Sequence, residues 1–205
     1  MCPDPTVFVV DDERCIVDSL SIRLSAEGLR CKTYTSARSF LDEYSPPTPG
    51  CLVVDACMPD MTGLELLRDL HARGDAMPVI VLTAHPQVPA AVQAIKGGAV
   101  DYIEKDAGNQ LLLAGIRQAL RQDAEGRRTH AERDEIRSRM ATLSPRQREV
   151  LQQVVAGKSS KEIARALGRH KKTIESHRTF IMRKMRAESV AELVRMVLTA
   201  DPADH

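Results

Sequence analysis

In Cys51-Leu52-Val53-Val54-Asp55-Ala56-Cys57-Met58-Pro59-Asp60-Met61-Thr62-Gly63, a short apolar run stops at a carboxylate and a proline-containing turn follows. Thr62–Arg73 then reads as a helix, with Leu64, Leu67 and Leu70 on one side. The same order recurs on both flanks. Thr6–Val10 is an apolar run that stops at Asp11-Asp12, and Glu13–Ala26 places Ile16, Leu20 and Leu24 at helical spacing before Gly28. Arg30–Thr35 is a strand, after which Ser36 can cap a helix through Tyr44 that Pro46-Pro47 cannot continue. Downstream, Pro78–Leu82 ends at Thr83, Val88–Lys96 is a helix stopped by Gly97-Gly98, Val100–Ile103 is followed by Lys105, and Asn109–Arg121 is a helix. Five strand–helix units predict an α/β, doubly wound five-stranded parallel sheet covered on both faces, with the flavodoxin-like order 2-1-3-4-5.

That order places a crevice at the carboxyl ends of strands 1 and 3, where Asp11, Asp12 and Asp55 fall. Thr83 and Lys105 end the next two strands. Three carboxylates in one shallow crevice repel one another and are stabilised by a cation; oxygen ligands with open positions suit Mg²⁺. An Asp carboxylate can act as a nucleophile toward phosphorus, Lys and Mg²⁺ can neutralise the transferring group, and a Thr hydroxyl can donate to a phosphoryl oxygen. One acid at a strand end is ordinary helix-capping chemistry. Five such groups at one rim are not.

Residues 1–120 resemble a two-component receiver domain. The resemblance rests on Val9-Val10-Asp11-Asp12-Glu13, Asp55 through Gly63, Leu82-Thr83-Ala84-His85, and Gly98-Ala99-Val100-Asp101-Tyr102-Ile103-Glu104-Lys105. It implies that Asp55 accepts phosphate from a histidine kinase, that Asp11, Asp12, Asp55 and the Cys57 carbonyl hold Mg²⁺, and that Lys105 and Thr83 contact the phosphoryl group. It makes Tyr102 the aromatic switch that follows Thr83; movement of the two is expected to reshape the face of helix 4, strand 5 and helix 5, where Val88, Val92, Lys96 and the start of helix 5 are candidate dimer contacts. Asp106 departs from the pattern, because receivers usually have Pro there after a cis bond. A cis non-proline bond costs about 3–4 kcal/mol, so either a trans bond with an altered Lys105 loop or a strained cis bond is expected. Cys57 stands where the family often has a polar side chain. With His85, which is equally readable as a surface loop residue, it is expected to tune phosphoryl lifetime.

Charge separates the chain further. Residues 1–120 hold 10 Lys/Arg against 16 Asp/Glu, residues 121–140 hold 6 against 5, and residues 141–205 hold 13 against 7. An acidic front and a basic back predict two domains with different partners. Residues 121–140 are rich in helix-forming Arg, Glu and Ala and read as a charged, helical linker, with Ile136, Met140 and Leu143 available to a neighbour. The back is all helical. Ser144–Val154 opens on Ser144-Pro145, Ser160–Leu167 ends at Gly168, Lys171–Met185 follows, and Ser189–Leu198 turns Val190, Leu193, Val194 and Val197 inward. Two short helices around a glycine turn predict helix-turn-helix. On the third helix Ile174, Ile181 and Met185 lie on one side. Lys172, Ser176, Thr179 and Arg183 lie opposite, Glu175 sits on the shoulder, and Arg178 falls near the inward flank.

Residues 143–195 resemble the LuxR-type helix-turn-helix of FixJ/NarL response regulators. The matching stretches are Leu143 through Leu151, Gly157 through Ala164, Thr173 through Arg178, Ile181 through Met185, and Ala191 through Val194. The resemblance places base contacts at Glu175, Ser176 and Thr179. The full set of expected DNA-contacting residues is Lys171, Lys172, Thr173, Glu175, Ser176, Arg178, Thr179, Arg183 and Lys184. The combined expectation is a cytoplasmic two-component response regulator of the FixJ/NarL family. Phosphorylation of Asp55 by a cognate sensor histidine kinase would dimerise it on double-stranded DNA, with RNA polymerase as a further partner. The alternative is a phosphorylation-independent DNA-binding regulator with a structural receiver. An Asp-nucleophile phosphatase would need an acid at position 57, which is Cys. The six aromatics, with no Trp, argue against a base-stacking RNA surface. No apolar run approaches the ~18 residues of a membrane span. Five cysteines without C-x-x-C point to reduced, buried thiols.

Overall fold

The computed structural model describes residues 4–200, so Cys2 lies outside the described residues. The chain divides into two compact units, Met1–Arg127 and Arg128–His205. In the first, β1 (Thr6–Val10), β2 (Arg30–Tyr34), β3 (Gly50–Asp55), β4 (Val79–Thr83) and β5 (Asp101–Glu104) form one parallel sheet in the order β2-β1-β3-β4-β5, as expected. Helices α1 (Arg14–Ala26), α2 (Ala37–Glu43), α3 (Gly63–Ala72) and α4 (Val88–Lys96) alternate with the strands.

Period-2 alternation divides each central strand between two cores. On one face Phe8, Val10, Leu52, Val54, Val79 and Val81 meet Phe40 of α2, Leu66, Leu67 and Leu70 of α3 and Ala94 of α4. On the other, Val7, Val9, Cys51, Val53, Ile80 and Leu82 meet Leu20 and Leu24 of α1 and Ile116 and Ala119 of α5 (Asn109–Ala141). β3 is buried along its whole length, which is why it reads as a continuous apolar run. Leu66 rather than Leu64 is fully buried in α3. The thiols are not uniformly buried: Cys51 is, and burial with the nearby Asp123 charge pushes it up to about 12, but Cys15 and Cys57 are exposed.

The connector is not a separate element. Helix α5 runs unbroken for 33 residues, because residues 121–140 contain no Pro and mostly strong helix formers. Its later turns belong to the second unit. Ile136 and Leu143 are buried in that unit's core and Met140 packs against it, rather than being left for a neighbour. The helix is also fastened to the first unit: the Asp123 carboxylate accepts a hydrogen bond from the Gly50 N–H at 2.9 Å and pairs with Arg127.

The second unit contains α6 (Pro145–Val155), α7 (Ser160–Ala166), α8 (Lys171–Met185) and α9 (Val190–Ala200). Ser144 and Ser159 each form a capping box, with Gln147 and Glu162 returning the bond, so both helices start where Ser precedes an acid or amide by three. Gly168, at φ 61°, makes the α7–α8 turn. Val150, Leu151, Val154, Ile163, Ile174, Ile181, Met185 and Leu193 close the core. Val190 is 42% exposed rather than turned inward, since it occupies the first position of α9, at the edge of the apolar stripe.

Gly50 tests the sheet's geometry. A Cβ at this position would lie 1.9 Å from the Thr6 carbonyl oxygen of the neighbouring strand. Gly50→Ala is expected to destabilise the first unit by about 2–4 kcal/mol, read as a lowered urea midpoint with unchanged slope. An unchanged midpoint would show that β1 and β3 do not approach as described.

Candidate functional site

The carboxyl edge of the sheet collects the groups that the sequence placed there. Asp11 follows β1, Asp55 ends β3, Thr83 ends β4 and Lys105 follows β5. Strand pairing sets this: Asp55 pairs with Leu82, and Thr83 with Glu104. Asp11, Asp55 and Thr83 are the buried polar residues of the first unit, at 1%, 5% and 4% exposure. The Lys105 ammonium stands 2.8 Å from Asp11 Oδ2 and 2.9 Å from Asp55 Oδ1, with Glu13 Oε1 at 3.2 Å. The remaining oxygens are fixed by main chain: the Cys57 N–H donates to Asp55 Oδ2 and the Glu13 N–H to Asp11 Oδ1, both at 2.9 Å.

Burial pushes the Asp11 carboxyl above its ordinary pKa, against the opposing pull of Lys105. For Lys105, burial works against the charge, but hydrogen bonds from the ammonium to Asp11 and Asp55 and their charges outweigh it, holding the ammonium above the usual lysine value. Lys105 is therefore the resident cation of a two-carboxylate pocket.

The pocket is incomplete in one respect that bears on metal. Asp11 Oδ2 is buried, and its partner is the Lys105 ammonium, 2.8 Å away as an ion pair; no other N–H or O–H among the described residues reaches it. A hard cation would satisfy this oxygen, and Asp11 and Asp55 are the right donor type. Asp12 is exposed and does not join them. Among the described residues no three His, Cys, Asp or Glu side chains converge as a metal cluster.

Other expectations sort clearly. The sole cis bond among the described residues is Pro46-Pro47, so the Lys105–Asp106 bond is trans, and Asp106 is exposed. The trans alternative is therefore the one found, with Lys105 N–H bonded to the Thr83 carbonyl at 2.8 Å. The Thr83 hydroxyl accepts from the His85 N–H at 3.1 Å, and the His85 side chain is exposed. The Tyr102 ring is half-buried and packs against the first core. Cys57 presents an exposed thiol beside Asp55. Sequence reasoning missed Glu13 as a third partner of Lys105; its place directly after the Asp pair was the available signal.

A second candidate surface lies on α8. Lys171, Lys172, Thr173, Glu175, Ser176, Thr179, Arg183 and Lys184 are exposed, and Arg178 is half-buried on the inner flank. Several are already engaged. Lys171 pairs with Glu175 at 3.3 Å, Ser176 Oγ donates to the Lys172 carbonyl, and Thr179 Oγ1 donates to the Glu175 carbonyl, both at 3.1 Å. Lys184 is tied by its ammonium to the Thr142 carbonyl at 2.8 Å and to Gln147 Oε1 at 3.0 Å, so it braces α8 against α6. The guanidinium of Arg183 lies 5.1 Å over the Phe180 ring, a contact that sequence reasoning did not anticipate.

Comparison with known proteins matches both regions. Residues 7–117 match the response regulator receiver domain, and residues 141–197 match the bacterial regulatory proteins of the luxR family. The chain is 44% identical over 200 residues to the transcriptional regulatory protein FixJ of Azorhizobium caulinodans, covering 97% of this chain and 95% of the relative. It is 42% identical over 195 residues to FixJ of Rhizobium meliloti, covering 95% and 96%. Among solved structures it is similar to the response regulator StyR, with TM-score 0.85, 37% identity, and coverage of 95% and 98%. It is also similar to full-length FixJ from B. japonicum, with TM-score 0.59, 38% identity, and coverage of 98% of each chain. No helix among the described residues is long and apolar enough to cross a membrane.

The raised Asp11 pKa gives a stability prediction. A carboxyl with a folded pKa above its unfolded value adds stability below the unfolded pKa, and that contribution is lost as pH rises through the folded value. Ionised Asp11 is then a burden at pH 7, and Lys105 keeps Asp55 without it. Asp11→Asn is expected to raise the metal-free thermal midpoint at pH 7 by a few degrees, with the gain shrinking toward pH 4 in calorimetry. A lowered midpoint at pH 7 would contradict the burial argument.

Proposed function

Since the chain belongs to the two-component response regulators that join a receiver domain to a LuxR-type DNA-binding domain, we propose that Asp55 is its phosphoacceptor and that acylation there governs how α8 engages duplex DNA. The observation that carries the reading is the ammonium of Lys105 set 2.9 Å from a buried Asp55. The Asp55 oxygen attacks phosphorus in a phosphohistidine of a sensor kinase. A P–O bond forms, the P–N bond breaks, and the imidazole leaves. Lys105 neutralises charge on the incoming group, the Cys57 N–H orients the carboxylate, and the Thr83 hydroxyl donates to a phosphoryl oxygen.

Mg²⁺ would be held by Asp11 and Asp55 with the Cys57 carbonyl, and by Asp12 only once its exposed side chain turned inward, and it would supply charge neutralisation at the transferring group. Asp11 Oδ2, buried and paired with Lys105 alone, supports the first of these ligands. In this reading the protein's only chemistry is phosphotransfer to its own Asp55 and slow autodephosphorylation there.

Once a phosphoryl group binds Lys105 and Thr83, the loop after β4 and the half-buried Tyr102 are drawn to a second arrangement. That reshapes the face of α4 and β5, where Val88 (78% exposed), Val92 and Ile95 are bare. A second copy would cover them and bring two α8 helices to two half-sites. Cytoplasmic residence and contact with RNA polymerase accompany this reading.

Asp55→Asn is expected to abolish Mg²⁺-dependent labelling by acetyl phosphate and to remove a phosphorylation-dependent gain in DNA affinity of about tenfold together with the shift to dimer. The measurements are acyl-phosphate gel labelling, fluorescence anisotropy and light scattering. Persistent labelling of the variant rejects the phosphoacceptor. Wild-type protein that takes no label yet binds DNA would establish the phosphorylation-independent alternative.

A further inference from the structure

Phe180 is the one aromatic side chain that the fold does not use. Phe8, Tyr34 and Phe40 are buried in the first core, and Tyr44 and Tyr102 pack against it. Phe180 alone of the six is exposed, at 44%. One exposed apolar residue needs no explanation, but the neighbours of this one are particular. Along α8 it follows Ser176 by four residues and precedes Arg183 by three, so the three share a face with Lys172. That face lines a groove of about 940 Å³ shared with Gln147, His170 and Lys184. Lys172, Arg183 and Lys184 make the groove cationic, and the Phe180 ring is among its lining side chains.

The polar groups around the ring are largely spent. The hydroxyl protons of Ser176 and Thr179 go to carbonyls one turn back, and Glu175 is paired with Lys171. Phe180 is the group on this face with the most to gain by leaving water. In the major groove, the apolar feature of a base edge is the thymine 5-methyl, which the other three bases lack. Resting on the reading of α8 as the helix that enters that groove, we propose that Phe180 is a specificity-determining residue that reads a thymine 5-methyl in each half-site. Its ring face meanwhile carries the Arg183 guanidinium at 5.1 Å, keeping this long side chain aligned toward the duplex and cutting its conformational freedom.

The test uses the full chain. Duplexes are selected from a random pool, and each thymine of the winning sequence is replaced singly by deoxyuridine, which removes the methyl and nothing else. Wild-type protein is expected to lose about fourfold in affinity at one position per half-site, the cost of one methyl returned to water. Phe180→Ala is expected to bind the thymine and uracil duplexes equally, and Phe180→Leu to retain part of the discrimination. Helical circular dichroism is expected to be unchanged in both, because Phe180 is not part of the second core. Wild-type binding that ignores the methyl at every position overturns the proposal and leaves DNA binding intact, as does full methyl sensitivity in Phe180→Ala. Selection that yields no duplex overturns the reading of α8 itself, and the proposal with it.

Discussion

A lysine ammonium lodged between two buried carboxylates organises the first unit. Taking Asp11, Asp55 and Lys105 out of water costs several kcal/mol per charge, which the contacts between the ammonium and the two carboxylates offset in part. The arrangement is possible because the parallel sheet delivers the ends of β1, β3 and β5 to one edge, with main-chain N–H groups of Cys57 and Glu13 positioned to hold the carboxylates. Fold and chemistry are thus one constraint: the strand order that buries Val and Ile on both faces also concentrates charge at its rim.

Lys105 neutralises one of the two buried negative charges outright, and Glu13 leans toward it from the exposed side. A dianionic phosphoryl group would find this ammonium already aimed at Asp55. Under the proposed acylation of Asp55 the cationic wall would need little reorganisation, and the change would fall on the loops after β4 and β5. These include the exposed residues Ala84 to Val88, whose side chains no core holds in place.

Much of this was readable from residue types. Strand order, the four buried or half-buried site groups, the α6 cap at Ser144 and the apolar side of α8 follow from periodicity and from where acids interrupt apolar runs. The trans bond before Asp106 was one of two readings, and only coordinates could choose between them. What stayed hidden depends on tertiary packing. That α5 continues into the second unit follows from propensity, but that Ile136 and Leu143 would be claimed by its core does not, because three apolar residues among charges fit either a neighbour or an interior. Asp12 looked equivalent to Asp11, and one residue's turn of backbone separates a buried carboxylate from an exposed one. Lys184 looked like a phosphate contact, but Thr142 and Gln147 lie within its reach. Phe180 was unremarkable until its ring was seen outside every core.

The hydrogen bond from Gly50 to Asp123 has a consequence for how a signal is conveyed. Gly50 opens β3 and Asp55 closes it, so the long helix is pinned at the end of the strand opposite the proposed phosphoacceptor. Five residue steps at about 3.3 Å each set the two roughly 17 Å apart. Acylation of Asp55 would not pull directly on the helix at that fastening; news of it would have to travel the depth of the receiver, through the strands or along α5 itself.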